Sequence, residues 1–503
     1  LTGVDHDGGR PALIDEKGEI SWAELDVRVR KTSAWLRSEG AVPGDHIALL
    51  CPNRPAYIIL WLAIADLGGV AVSVNVGLIG DALRYALTQS KPALVVAEQA
   101  LAERMDADIA PVIEDLPVLR FRNEADLDRL TGDFKAGPPG EGAGSAPVSI
   151  IYTSGTTGRP KGVLNSHTAF IACGRHTVDM LAVTRRDRIM LFLPLFHANP
   201  LMYGLMSALH SGAALVIRPK FSASAFFDDA RRFGCTIFTY VGTVLAMLCN
   251  RVIGPDFDHS LTRGIGGGCP AETWQIMRDR FGIDVHELYG MTEIGGWVTA
   301  NRMGSRRVGT CGQVRSDMDV QVVGPADQPL ATGIQGEIVV RPRSPDVILS
   351  EYWDNPAATV AAMKNLWFHT GDVGSFDDDG YLTFHGRTKE IIRRGGENIS
   401  PVDIELVALA HPDVIDAAAL AQPDPVFGEE IRLCLVVQQL LDPARLLEFF
   451  DGRLAPFMTP RYLQFVDHIP KTETQKIQRH LLAKADDPVI DMRAAEDAGS
   501  RCA

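Results

Sequence analysis

At 503 residues the chain is longer than one hydrophobic core usually organises, so two or more domains are expected. Its 46% hydrophobic and 22% charged residues are ordinary for a globular protein. Its 63 acidic against 49 basic residues give a net charge of -14, which argues against nucleic acid or an anionic membrane as the main partner.

Asp5, Asp7, Arg10 and Pro11 interrupt any apolar run at the start, so no signal peptide is expected. From Pro11 to about Ala97, strand-like runs alternate with helical patterns: HIALLC from His46, VAVSVN from Val70 and ALVVAE from Ala93, with AYIILWLAIADLG from Ala56 between. This alternation predicts a doubly wound α/β sheet. The most apolar stretch, Tyr57 to Gly80, is broken by Asp66, Gly68, Gly69 and Asn75, and reads as a helix and a buried strand rather than a membrane span. A soluble, cytoplasmic protein is therefore expected. Eight cysteines, at 51, 173, 235, 249, 269, 311, 434 and 502, lack paired spacing and fit buried or free thiols in a reducing cytosol. Residues 131–147, rich in Gly, Pro and Ala, have little to bury and are expected to form a mobile loop.

Val148 to Gly162 reads VSIIYTSGTTGRPKG, a buried strand feeding a loop of Ser, Thr and Gly. Glycines at 155, 158 and 162 let the backbone approach a ligand, while Ser154, Thr156 and Thr157 set hydroxyls beside free N–H groups and Lys161. Such a loop suits a polyphosphate. It is not a Walker A loop, because Gly162 rather than Ser or Thr follows Lys161. A plain Gly/Ser linker would not begin on a buried strand and end in Pro-Lys-Gly.

A second α/β run follows, with strands near RIMLFLP from Arg188, AALVIRP from Ala213, TIFTYV from Thr236 and VHELYG from Val285. In YGMTE, Tyr289 to Glu293, a tyrosine at the end of a parallel strand can stack on a purine, and Glu293 offers the hard oxygen that Mg²⁺ requires. After about Val308 the pattern turns to short β segments, among them SFDDDGYLTF, a hairpin with an Asp-Gly turn, so a small β subdomain is expected. Asp372 in HTGD can accept hydrogen bonds from vicinal ribose hydroxyls. GRTKEIIRRGGENISPVDIE, Gly386 to Glu405, sets Arg387, Lys389, Arg393 and Arg394 beside Gly395 and Gly396 and opens a helix on Ser400 and Pro401. Strands near AAALAQ and IRLCLVVQ and a last helical stretch follow. The residues after about Lys484 are expected to form a disordered tail.

Taken in order with PKTETQKIQR, Pro470 to Arg479, these motifs resemble those of the adenylate-forming superfamily, which includes acyl-CoA synthetases, aryl-CoA ligases, luciferases and peptide-synthetase adenylation domains. RRGGENIS looks most like the crotonobetaine/carnitine-CoA ligase branch. The resemblance implies a large N-terminal doubly wound α/β domain with a β subdomain, residues 1–388, and a small mobile α+β C-terminal domain, residues 389–503. It implies ATP or AMP binding by Thr153, Ser154, Gly155, Thr156, Thr157, Lys161, Glu287, Leu288, Tyr289, Gly290, Met291, Asp372 and Arg387. Within that set Tyr289 stacks on adenine, and Asp372 and Arg387 hold the ribose. Thr292 contacts the α-phosphate, and Glu293 with Thr156 holds Mg²⁺. Lys476 reaches the α-phosphate and the attacking carboxylate, although Gln475 stands where glycine is usual. Lys389 is the implied hinge, and Arg394, Gly395 and Gly396 line the implied path for CoA.

By the same resemblance the acid pocket is lined by His197, Ala198 and Asn199 of PLFHAN, by Tyr240, Val241 and Gly242, by Gly266, Gly267 and Gly268, and by Leu288. His197 sits beside the acyl group and gates it. The implied reaction is ATP-dependent activation of a small to medium, mostly apolar or aromatic acid as acyl-AMP, with release of pyrophosphate and transfer to CoA. Alternatives are activation of nitrite, a non-CoA acceptor, a luciferase-type oxygenase or a catalytically inert nucleotide-binding module. A peptide-synthetase domain is disfavoured, because PLFHAN lacks the pocket aspartate expected soon after it. ATP, CoA and a small acid are the implied partners of a monomer or homodimer.

Overall fold

The computed structural model describes every residue except 1–6, 110–115, 141–143, 154–159, 252–253, 388–389, 391, 395–396, 400, 425–426, 440, 452, 455, 472–476, 484–487 and 493–503. The chain divides into two compact units, Leu1–Val320 with Val340–His369, and Gln321–Val339 with Thr370–Ala503.

In the larger unit a seven-stranded sheet runs in the order Glu351–Tyr352, Lys161–Ser166, Pro147–Thr153, Val70–Ser73, His46–Leu50, Leu94–Glu98, Val118–Phe121. The last five are parallel. Their near-continuous Val, Ile, Leu and Ala runs follow from burial on both faces. Helix Pro55–Leu67 begins on Pro55, ends on Gly68 in the left-handed region, and buries eleven of its thirteen residues. This accounts for the apolar stretch; among the described residues no helix is long and apolar enough to cross a membrane. The seven described cysteines are free and buried.

A nine-stranded sheet takes the order Gln313–Val314, Gly296–Ala300, Asp284–Met291, Arg263–Gly267, Ile237–Val241, Arg188–Leu191, Ala214–Ile217, Pro11–Asp15, Gly18–Ser21. The sequence grouped Pro11–Asp15 with the strands up to Ala97. It pairs instead in parallel with Ala214–Ile217, Leu13 opposite Leu215. Parallel strands are joined by long crossovers, so adjacency along the chain does not fix pairing. Helix Trp22–Ser38 then starts from a reciprocal cap, with Ser21 Oγ accepting from Glu24 N and Glu24 Oε2 accepting from Ser21 N.

Residues 131–147 also differ from expectation, because the described part is tied down. Thr131 is buried and donates to Leu127 O, Phe134 packs on the core, Arg30 Nη1 donates to Gly137 O, and Gly140 N donates to Asp66 Oδ1 at 2.9 Å. Composition hid these anchors, since their partners lie far off in the chain.

In the smaller unit Asp372 to Phe376 pair antiparallel with Leu382 to Arg387. Gly380 N donates to Asp377 O and Asp377 N to Tyr381 O, which closes a three-residue turn with Gly380 at φ 77°. A six-stranded sheet is built on Gly428–Val437, which pairs with Val414–Asp424, Ile392–Arg394 and Tyr462–Phe465. The expected disordered tail is corrected over part of its length: Val489–Asp491 pairs antiparallel with Tyr462 to Gln464, and Met492 is buried in the core. Alternating Ile490 and Met492 supply the apolar side chains that make the strand worthwhile.

Candidate active site

Strand Pro147–Thr153 is buried from Val148 to Ile151 and returns through Lys161–Ser166, with Thr153 opposite Lys161. Ser154, Gly155, Thr156 and Thr157 lie outside the described residues. The two ends of their loop are placed: Lys161 Nζ sits 4.6 Å from the centre of the Tyr352 ring, a cation–π contact, and Tyr85 Oη donates to Pro160 O.

Strand Asp284–Met291 runs parallel to Arg263–Gly267 as far as Glu287, then pairs antiparallel with Gly296–Ala300 from Leu288 onward. Gly290 is required there, because a Cβ would lie 2.2 Å from Gly296 O. Leu288 and Tyr289 are buried, Met291 ends the strand, and Thr292–Ile294 forms a single 3₁₀ turn closed by Gly295. That turn brings Glu293, only 5% exposed, to the end of strand Pro147–Thr153. Its Oε1 accepts from Thr153 Oγ1 at 3.0 Å and from Tyr352 Oη at 3.2 Å. Burial, with the Glu293 carboxylate beside it, pushes the Tyr352 phenol well above its ordinary range. Two motifs 140 positions apart thus meet directly at one carboxylate, joined there by a tyrosine that lies outside every predicted motif.

The predicted acid-pocket residues gather at the carboxyl ends of neighbouring strands, where open parallel sheets bind ligands. Tyr240 lies opposite Gly266, Val241 opposite Gly267, and Gly266 opposite Glu287. Gly242 opens the next helix, and a Cβ on it would lie 2.3 Å from the carbonyl of Gly268, itself at φ 92°. Ala198 leads into a π-helical stretch, Asn199–Leu205, a form frequent at functional sites. Asn199 Nδ2 donates to Tyr240 O at 3.0 Å, and the His197 ring lies 4.5 Å from that of Phe196. Asn53, which no motif marks, fixes the PLFHAN turn by donating to Leu193 O and accepting from Leu195 N. The Glu287 carboxylate accepts from Gly268 N at 2.7 Å, Cys269 N at 2.8 Å and Tyr240 Oη at 3.0 Å. Burial raises this carboxyl to about 7, against the pull of those three donors.

Behind the YGMTE hairpin lies a buried ionic group absent from the sequence reading. Arg315, with no exposure, donates through Nε to Asp317 Oδ1 at 2.7 Å and through Nη1 to Gly295 O at 3.3 Å. Its guanidinium lies 5.4 Å from the centre of the Trp297 ring, and His176 Nε2 is 3.4 Å from Asp317 Oδ2.

In the smaller unit Asp372 is buried and lies opposite Arg387, whose Nε is 3.4 Å from Asp372 Oδ1. Its turn is set by Gly371 N donating to Glu337 Oε1 and by Thr370 Oγ1, which accepts from Asp372 N and donates to Ile338 O. Arg394 pairs with the fully buried Glu430 and donates to Phe457 O. Lys389, Gly395, Gly396 and Lys476 lie outside the described residues. The segment carrying Lys476 is closed at its base by a Lys471–Ile477 bridge and by Gln478 N donating to Pro470 O at 2.8 Å.

The family pattern of AMP-binding enzymes matches residues 3–353, and that of the AMP-binding enzyme C-terminal domain matches residues 403–476. The chain is 31% identical to indoleacetate–CoA ligase of Aromatoleum aromaticum, over 94% of each chain. It is 29% identical to crotonobetaine/carnitine–CoA ligase of Salmonella paratyphi C, over 93% of this chain and 95% of that one. ATP-bound MatB from Rhodopseudomonas palustris superimposes with a TM-score of 0.87 at 27% identity, over 95% of this chain and 96% of that one. With these motifs in order, both patterns matched and relatives covered nearly end to end, the chain belongs to the AMP-binding enzyme family, the adenylate-forming acid:CoA ligases.

Proposed function

We propose that this ligase takes a small to medium, mostly apolar or aromatic carboxylic acid, and that the residues gathered above divide the work. The observation that carries the reading is the meeting of Thr153 and Glu293 beside Lys161 and Tyr352, in the turn that follows the strand carrying Leu288. ATP and the acid form an acyl-AMP with loss of pyrophosphate, and the CoA thiol then attacks the mixed anhydride and expels AMP.

In the first step a carboxylate approaches an α-phosphate, so negative charge must be offset at the reacting centre. Lys476, Thr292 and the N–H groups of the loop at 154–157 serve there, Tyr289 stacks on adenine, and Asp372 with Arg387 holds the ribose. Glu293, a buried carboxylate next to a hydroxyl, suits a divalent cation that takes its other ligands from phosphate and water. Glu293 and Thr156 would hold Mg²⁺, which when bound supplies charge neutralisation at the phosphates. Residues 389–503 form the mobile domain, with Lys389 as hinge; it presents Lys476 for adenylation and the Gly395–Gly396 turn, with Arg394, for thioester formation. A Leu288 side chain pointing inward would shorten the acid pocket, and neither lysine nor arginine is among its named lining residues.

The test is pyrophosphate release with ATP and Mg²⁺ against small aliphatic and aromatic acids and nitrite, with and without CoA. Release that needs a carboxylic acid and ends in a CoA thioester by mass supports the reading. Release with nitrite alone overturns it. Glu293→Gln is expected to lower that release by about 100-fold and to raise the Mg²⁺ needed for half-maximal rate, seen in a Mg²⁺ titration.

A further inference from the structure

The Glu287 carboxylate has three of its acceptor positions filled by groups of the acid-pocket wall. We propose that Glu287 is a positioning residue for the acid pocket: with Tyr240 it clamps the loop after strand Arg263–Gly267 and so sets the wall formed by Gly266, Gly267 and Gly268. This rests on those glycines lining the acid pocket.

The clamp is specific in geometry. One carboxylate oxygen takes Gly268 N and the other takes Cys269 N and the Tyr240 phenol, all between 2.7 and 3.0 Å. Two successive backbone N–H groups aimed at one carboxylate fix both the height and the tilt of the loop. The opposite side of the loop is closed by the carbonyl of Gly268, which packs so tightly on Gly242 that no Cβ fits between them. The following helix, Ala271–Phe281, is pinned by Trp274 Nε1, which donates to Val285 O at 2.7 Å on the strand that carries Glu287. The wall therefore cannot shift without breaking the clamp, and Asn199 joins it through the Tyr240 carbonyl.

The ionised carboxylate is the form that accepts all three donors; on protonation one acceptor position becomes a donor and the wall loses a bond. The titratable groups facing the clamp are the Tyr240 phenol and the Cys269 thiol, both pushed up by burial, and Cys311 beside Tyr240. Around neutral pH the clamp's own change is the ionisation of Glu287, raised to about 7. The KM for the acid should therefore rise as pH falls from about 8 to about 6.

The experiment measures both KM values by pyrophosphate release over that pH range in the wild type, Glu287→Gln and Tyr240→Phe, with thermal melts alongside. Glu287→Gln should raise the acid KM by about tenfold at the upper end, more than it raises the ATP KM, and abolish the pH dependence of the acid KM. Tyr240→Phe should act in the same direction and move the midpoint to higher pH, because it removes a donor to the charged form. A rise in the ATP KM instead, or a uniform fall in rate together with the melting temperature, overturns the proposal. Gly267→Ala separates the clamp from the reading beneath it. An unchanged acid KM in that variant means the glycines do not line the pocket, and both ideas fall. A raised acid KM in Gly267→Ala with none in Glu287→Gln sinks the clamp alone.

Discussion

Lys476→Ala is expected to lower acid-dependent pyrophosphate release by about 1000-fold while leaving thioester formation from supplied acyl-AMP within about threefold of wild type. The asymmetry follows from charge. Adenylation drives a carboxylate toward a phosphate, and a desolvated cation at that point is worth far more than one in water. Thiol attack on the finished anhydride meets no such repulsion and needs the cation much less. The residues on either side of the segment carrying Lys476 are held: Lys471 and Ile477 bridge, Gln478 N donates to Pro470 O, and Lys471 Nζ pairs with Asp416 at 2.5 Å. Just past them, Arg479 bonds Glu390 at 3.1 Å, the Ala419 carbonyl at 3.0 Å, and Glu405. Because the flanking residues are fixed by their own contacts, Gln475→Gly is expected to alter the rate by less than about threefold. The assay is pyrophosphate release paired with mass detection of the thioester from synthetic acyl-AMP. Equal loss in both half-reactions would assign Lys476 to general binding instead.

The parts of the fold legible in the sequence were those written in local pattern. Continuous apolar runs such as Val70–Ser73 and the Pro55–Leu67 helix announce burial on every side, and the structure supplies it. Pairing was less legible. Pro11–Asp15 looks like any other strand of the first α/β run, and nothing in PALID says that its partner is Ala214–Ile217. At the site, residues inside a motif could be named because the chemistry of ATP demands hydroxyls, glycines and a carboxylate together. The side chains that hold the motifs in place could not. Tyr352, Asn53 and Arg315 act over 59, 140 and 20 positions respectively, through hydrogen bonds that leave no periodicity behind. Glu287 lies inside a legible motif, yet its carboxylate turns toward Gly268 and Cys269, a direction that only the fold discloses.

Arg315→Leu is expected to cost the folded state about 3–5 kcal/mol, because it strands Asp317 as a buried, uncompensated charge. Asp317 is 8% exposed, and without Arg315 its carboxylate faces the His176 ring, with Nε2 3.4 Å away. Burial by itself would push this carboxyl up; the His176 ring beside it and the charge of Arg315 overcome that and hold it at about 2. A carboxyl held below its unfolded value of about 3.9 contributes stability that is present above that pH and drains away as pH falls toward 2. The wild type should therefore lose stability across that acid window, and Arg315→Leu should lose much less there, having already forfeited most of the term at neutral pH. Urea unfolding at several pH values measures both. Replacing the pair together, Arg315→Leu with Asp317→Leu, should recover most of the loss, since apolar side chains of similar bulk often match a buried ion pair. Recovered stability should not restore activity in full. The Arg315 Nη1 bond to Gly295 O sits one residue past the turn that delivers Glu293 to Thr153 and Tyr352, and leucine cannot make it. A double variant that is both as stable and as active as wild type would show that the ion pair holds the hairpin up without aiming Glu293.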